Sequence, residues 1–352
     1  MMSTDLHGAV HSEGLDAAVA WHYGDPLREQ RALATRAGVI DRSNRDVLVV
    51  GGEDRLSWLH SICSQHVEHL GDGDATESLV LSPHGHVEQH WQVTELGGAV
   101  WLDTEPGAAG DVLGYLQMMR FLKRVEPADV SAEWAVVSLV GPATADILIS
   151  AGLPVPERAR AVPLGGGGAV PLGGGGAVPL GGGGFVRRMP WPAGDAVDLL
   201  VPRSSVAATV DALHAAGAEL AGLWAFEAMR VEARRPRLRF ETDHRTIPHE
   251  VGWIGSAVHL EKGCYRGQET VARVQNLGKP PRRLVLLHLA GESDVLPPPG
   301  TPVELDGRTV GFLGTAVHHY ELGPIALAVV KRSLAADAAL TVAGSAVSVD
   351  AG

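Results

Sequence analysis

One stretch concentrates reactive side chains, Lys262-Gly263-Cys264-Tyr265-Arg266-Gly267-Gln268-Glu269. One of the chain's two cysteines sits between a lysine two residues before it and an arginine two residues after. An extended backbone has a side-chain period of two, so Lys262, Cys264 and Arg266 are expected on one face. Cations beside a thiol favour the thiolate, which is the nucleophile and the metal ligand. Gly263 and Gly267 allow a positive φ or a close approach of backbone to a ligand. Tyr265, Gln268 and Glu269 add a phenol, an amide and a carboxylate. The alternative is structural, since a lone cysteine is often a small buried hydrophobe. Cys63 fits that description, because Leu56, Leu59, Ile62 and Cys63 recur at helical spacing.

Bulk properties exclude several classes. The 352 residues are 45% hydrophobic and 20% charged, ordinary for two or three globular domains. A formal charge of −12 gives a nucleic-acid role no electrostatic support. Two cysteines supply neither a disulfide framework nor the four thiolates of an ordinary iron–sulfur cluster. The N-terminus lacks a basic, then apolar, secretory pattern, and no apolar run of about 18 residues occurs. No membrane partner is expected, and the expected location is the cytoplasm. His84, His86, His90 and Glu88 are chemically suited to zinc or iron but lack the spacing of a metal motif, so no metal is expected.

Several elements would position these groups. Residues 1–20 read as a flexible leader. A helix is expected at Pro26–Thr35, a strand at Val47–Val50 and a helix after Asp54. Ser82-Pro83-His84-Gly85 is turn chemistry between two strands. Beyond it Val87, Trp91 and Val93 share one face, and His86, Glu88, His90 and Gln92 the other. That polar face is either solvated or the wall of a ligand cavity. A helix over 108–124 should bury Val112, Leu113, Leu116, Met119 and Leu122. The strand Trp134–Val140, a helix through Leu148, the strand Asp198–Val201 and a helix ending before Gly217 suit a small ferredoxin-like unit. Three Ala-Val-Pro-Leu-Gly-Gly-Gly-Gly octads fill 161–184 and read as a mobile surface loop whose deletion is nearly silent. Trp224–Glu232 reads as a helix, and strands with Gly-rich turns begin at Arg282.

The eight-residue stretch resembles the K-G-C-Y-x-G-Q-E signature of YgfZ-type folate-binding proteins, related to the aminomethyltransferase (T-protein) of the glycine cleavage system. All seven specified positions match. The resemblance implies an α+β, T-protein-like multi-domain fold with a central folate cavity, a ferredoxin-like second domain and a C-terminal β-barrel. The divisions it implies are 21–130 with 223–280 for the folate domain, 131–222 with the 161–184 insertion, and 281–352 for the barrel. Arg230-x-Glu232 and Pro248-x-Glu250 match patterns that give carboxylates to the pterin, and a carboxylate can accept two hydrogen bonds from such a ring. The implied cofactor is tetrahydrofolate, contacted by Glu232, Glu250, Lys262, Tyr265, Gln268, Glu269 and Arg273. Cys264 is the implied reactive group. The implied partners are iron–sulfur client enzymes or cluster carriers. In T-proteins the hairpin carries Gly-x-x-x-Asp-Asp, and a gapless match places Gln89 and His90 at the acids. Folate-dependent aminomethyl transfer is therefore the alternative function, and a scaffold that needs no thiol is a third.

Overall fold

Alternation along residues 87–96 builds the first layer. The computed structural model describes residues 8–156, 175–179, 183–188, 195–290, 295–335 and 337–350. It opens with the short strands β1 (Val10–His11) and β2 (Ala20–His22), helix α1 (Pro26–Thr35), and strands β3 (Gly38–Asp41) and β4 (Asp46–Gly51). Helix α2 (Arg55–Ile62) leads to β5 (Asp74–Leu81), β6 (Val87–Leu96) and β7 (Ala99–Thr104), then to α3 (Ala109–Met118) and β8 (Glu126–Asp129). Trp91 and Val93 of β6 pack with Trp58, Leu59, Val112 and Leu116 of α2 and α3. The period of two turns His90 and Gln92 of the same strand to the opposite side.

The second half of the sheet comprises β9 (Trp134–Val140), α4 (Thr144–Ser150), β10 (Gly175–Pro179), β11 (Phe185–Arg188), β12 (Ala196–Pro202), α5 (Val206–Ala215) and β13 (Glu219–Leu220). It keeps the strand, helix, strand, helix order expected from the sequence and adds β10, β11 and β13. The 11 strands run β13-β3-β9-β12-β11-β10-β5-β6-β7-β4-β8. Without β3 and β10, the strands β13, β9, β12 and β11 have the ferredoxin-like arrangement. Strand β3, from the 21–130 segment, inserts between β13 and β9. The two segments therefore share a sheet rather than dividing at residue 130.

Three local expectations are corrected. From Gly8 onward the leader is structured: Asp16 and Val19 are buried, and both Asp16 carboxylate oxygens accept from Arg237 at 2.8 Å. Within the octads, Gly175–Pro179 form a strand paired with β5 and β11, because glycines next to one another still offer a full set of backbone donors and acceptors. The rest of the loop expected at 161–184, apart from Gly183 and Gly184, lies outside the described residues. Finally, α3 stops at Met118, since Phe121 takes φ 45°, and Leu122 is consequently 99% exposed rather than in the stripe.

Helix α6 (Leu223–Glu232) and α7 (Gln268–Leu277) follow. A closed barrel, β14-β17-β16-β15-β18-β19, ends the chain, built from β14 (Arg282–Leu289), β15 (Pro302–Leu305), β16 (Arg308–His319), β17 (Gly323–Lys331), β18 (Leu340–Val342) and β19 (Ser345–Val349). Ala228 and Val231 of α6 pack on barrel residues Leu286, Val317 and Leu327. The opposite contacts of α6, through Phe226 and Met229, reach Ile40 and Leu33. One buried helix therefore ties the barrel to the sheet.

Candidate functional site

The polar side of β5 and β6 is buried at its inner end, at Glu77, His90 and Gln92, and exposed at Glu88. Register sets Glu77 opposite Gln92 and Leu79 opposite His90. Glu77 and His90 are buried and joined, His90 Nε2 to Glu77 Oε2, at 2.9 Å. The imidazole stacks on Trp253 with centroids 4.9 Å apart, and Thr104 Oγ1 donates to the His90 carbonyl. Burial pushes the Glu77 carboxyl up, but His90 outweighs it and holds the group at about 2. At the hairpin's outer end Glu88 is exposed and pairs with Arg266 at 2.9 Å.

His90 and Gln92 form one wall of a small polar recess open to solvent. Arg42, Arg45, Glu105 and Arg237 line it from other elements, and a smaller adjoining recess shares these four. The arginines are held in place. Arg45 Nε donates to Asp103 and Arg237 Nε to Glu105, both at 2.7 Å. Arg42 lies over the Phe226 ring at 4.1 Å and donates to Ser138. Burial, with Arg45 adding to it, lowers the Arg42 guanidinium to about 10. Burial opposes ionisation of Glu105, yet Arg237 and Arg45 bring it down to about 2. The Gln92 Oε1 atom, in this wall, is buried without a donor. The result is a polar cleft whose arginines are held by carboxylates and whose wall keeps one buried acceptor unpaired.

The eight-residue signature is a docking loop leading into α7, not a strand. The expectation that Lys262 and Arg266 flank the thiol is therefore corrected. Lys262 is buried, and its ammonium donates to the carbonyls of His60, Cys63 (2.6 Å) and Gln65 (3.0 Å). Burial lowers its pKa, against an opposing pull from Cys63. Arg266 is engaged by Glu88. Tyr265 is buried, its hydroxyl pushed up to about 12 by desolvation, and the Gln268 amide oxygen caps the Tyr265 N–H at 3.1 Å. Gly267, at φ 82°, sits where a Cβ would lie 2.5 Å from the Ser82 carbonyl and 2.9 Å from Gly85 Cα, which fastens the loop to the hairpin turn. Cys264, Glu269 and Arg273 are exposed, while Cys63 is 2% exposed in the core, as its helical spacing indicated.

The two matched carboxylates diverge. Glu232 stands exposed at the end of α6, 3.5 Å from His319 of the barrel. Glu250 is buried, but its oxygens accept from Arg282 at 2.8 Å and from the Ile247 N–H. Neither lines the recess. Sequence reading also missed a group of histidines around Lys262: His66 lies within 4.6–5.2 Å, centroid to centroid, of His60, His69 and His259. No periodicity links these positions. Among the described residues no three His, Cys, Asp or Glu side chains are arranged to hold a metal.

A mixed sheet with a ferredoxin-like half, a polar central recess and a closed six-stranded barrel defines a T-protein-like protein. Residues 3–262 match the GCVT N-terminal domain, and 282–351 match the CAF17 C-terminal beta-barrel domain. The chain belongs to the GCVT-domain family, within the aminomethyltransferase-like superfamily. An aminomethyltransferase of Geobacillus kaustophilus is 30% identical over 321 residues, covering 88% of this chain and 83% of the relative. A chloroplastic protein of Arabidopsis thaliana, named as a transferase, is 24% identical over 78% of this chain, which spans only 60% of that relative's length. The crystal structure of the glycine cleavage system aminomethyltransferase T of Bartonella henselae superposes with a TM-score of 0.80 at 19% identity, covering 98% of this chain and 93% of that one. No described helix is long and apolar enough to cross a membrane.

Proposed function

We propose that this protein is a YgfZ-type tetrahydrofolate-binding factor of the cytoplasm that supports maturation or repair of iron–sulfur enzymes. The reduced folate occupies the recess between β6 and Arg237. The observation that carries this reading is the buried wall itself, where Gln92 Oε1 lacks a donor and arginines stand on the other sides. A pterin presents N–H groups to such an acceptor, and a glutamyl tail presents carboxylates to arginines. The Cys264 thiol is exposed on a loop whose Lys262, Tyr265, Arg266 and Gln268 are all engaged structurally. It serves as the reactive group toward a client enzyme or cluster carrier, and one thiolate contributes one ligand or one mixed disulfide at most. Glu232, Glu250, Glu269 and Arg273 remain proposed folate contacts only if the ligand extends beyond the recess. Isothermal titration with tetrahydrofolate tests the reading on wild type, Gln92→Leu and Glu232→Ala. Saturable binding weakened by Gln92→Leu supports it, and no binding at sub-millimolar folate rejects it.

A second reading, folate-dependent aminomethyl transfer, is favoured by the Geobacillus kaustophilus relative, named as an aminomethyltransferase. Against it stand Gln89 and His90 at the hairpin positions where T-proteins carry paired acids. Release of methylenetetrahydrofolate from an aminomethylated carrier protein distinguishes the two.

A further inference from the structure

A histidine facing a cleft with a carboxylate behind it is a recurrent way to fix one tautomer of the ring. Glu77 and His90 have this geometry. Glu77 Oε2 is 2.9 Å from His90 Nε2, both side chains are more than nine-tenths buried, and only His90 reaches the recess. The Trp253 ring stacked on the imidazole fixes its plane. An ionised carboxylate accepts only, so the proton lies on Nε2 and Nδ1 is left with its lone pair. Besides His90, Arg235 and the Ser256 hydroxyl also favour the ionised Glu77 carboxylate. Sequence matching had left His90 as a departure from the acidic hairpin with no role.

We propose that His90 Nδ1 is a ligand contact of the recess that accepts a hydrogen bond from a ring N–H, with Glu77 as the residue that positions it. The inference rests on the reading that a reduced folate occupies the recess. It makes the neutral imidazole the binding-competent form, since a second proton on the ring turns the acceptor into a donor. The charged groups around the pair are Glu77 on β5, Arg235, whose charge acts on Glu77, and, lining the same recess, Arg42, Arg45, Glu105, Asp198 and Arg237. Their charges hold steady. Burial is outweighed by His90 at Glu77, by Arg237 at Glu105 and by Arg187 at Asp198, so all three stay ionised, while Arg42 at about 10 keeps its proton.

The test uses the full chain and tetrahydrofolate. An asparagine amide mimics a ring Nδ1 and a glutamine amide mimics Nε2, so His90→Asn should bind within about threefold of wild type. His90→Gln and Glu77→Leu should bind about tenfold more weakly, one lost hydrogen bond, with Glu77→Gln restoring most of the affinity. Equal loss in both His90 variants overturns the proposal. If wild type binds no tetrahydrofolate, the folate reading fails separately. The nitrogen-15 spectrum of the unliganded protein then decides the dyad: an Nε2–H tautomer sustains it and an Nδ1–H tautomer ends it. Thermal melts of each variant separate misfolding from lost contact.

Discussion

The Lys262 ammonium lies 2.6 Å from the Cys63 carbonyl, and it is this cysteine, not the neighbouring Cys264, that it serves. The bond is to main chain, together with those to His60 and Gln65, so the lysine closes the C-terminal end of α2, where carbonyls lack helical partners. A signature lysine that looks like a thiolate activator in sequence is a structural clasp in three dimensions.

Replacing that clasp with Lys262→Met should therefore cost stability, about 2–4 kcal/mol, because buried carbonyls lose a charged donor. The alkylation rate of Cys264 should stay within about twofold of wild type, since the ammonium is spent elsewhere. Urea unfolding and timed alkylation with mass-spectrometric readout check both halves. A large drop in Cys264 reactivity with unchanged stability would reverse the assignment.

The two thiols should behave differently. Cys264 is exposed and Cys63 buried, so one equivalent of alkylating reagent should modify Cys264 in the native protein. Cys264→Ser should keep its melting temperature and its tetrahydrofolate affinity while losing support of iron–sulfur enzyme activity in a strain lacking the protein. Cys63→Ser should cost about 1–3 kcal/mol, because a hydroxyl replaces a thiol in an apolar core. Full complementation by Cys264→Ser would favour the scaffold reading.

Gly85 and Gly267 meet at the hairpin turn with φ of 77° and 82°. Gly267→Ala places a Cβ against the Ser82 carbonyl, and Gly85→Ala places one 2.7 Å from Thr270 Cβ. Each should destabilise by about 1–3 kcal/mol and loosen the loop that carries Cys264. Gly263→Ala meets open space and should be tolerated. Chemical denaturation of the three variants orders them, and equal costs would contradict the contact.

Acid should weaken the fold in two stages. Burial lowers the pKa of His60 to about 4 and also lowers His66 and His259, so the unfolded chain binds more protons there. Their contribution is complete above about pH 6.5 and is lost as pH falls toward the folded values. Glu77 and Glu105, held at about 2 by His90 and by Arg237 against the cost of burial, add stability that is present above about pH 4.3 and lost through pH 2. Thermal melts from pH 8 to pH 3 should fall in both windows, with the first decline reduced in His60→Gln. A melting temperature constant from pH 7 to pH 5 would refute the histidine stage.

Removing Gly175–Pro179 takes out the strand that joins β5 to β11. The melting temperature should fall by several degrees, whereas a silent deletion would restore the simple loop reading of the octads.

Sequence alone determined the elements whose cause is local. The period of two in β6, the helical spacing that buries Cys63, the Gly217 stop at φ 108° after α5 and the hairpin turn at Gly85 are each decided by a few adjacent residues. The signature residues were equally legible as an unusual set. Their roles were not, because a cation's partner is chosen across the fold: Lys262 reaches back about two hundred positions to Cys63, and Arg266 to Glu88. The recess is non-local in the same way. Its walls come from β6, from the turn between β3 and β4, and from Arg237, which no spacing connects. Only the packed sheet decided that His90 would face that recess with Glu77 behind it, since strand register, not sequence distance, places residue 77 beside residue 90.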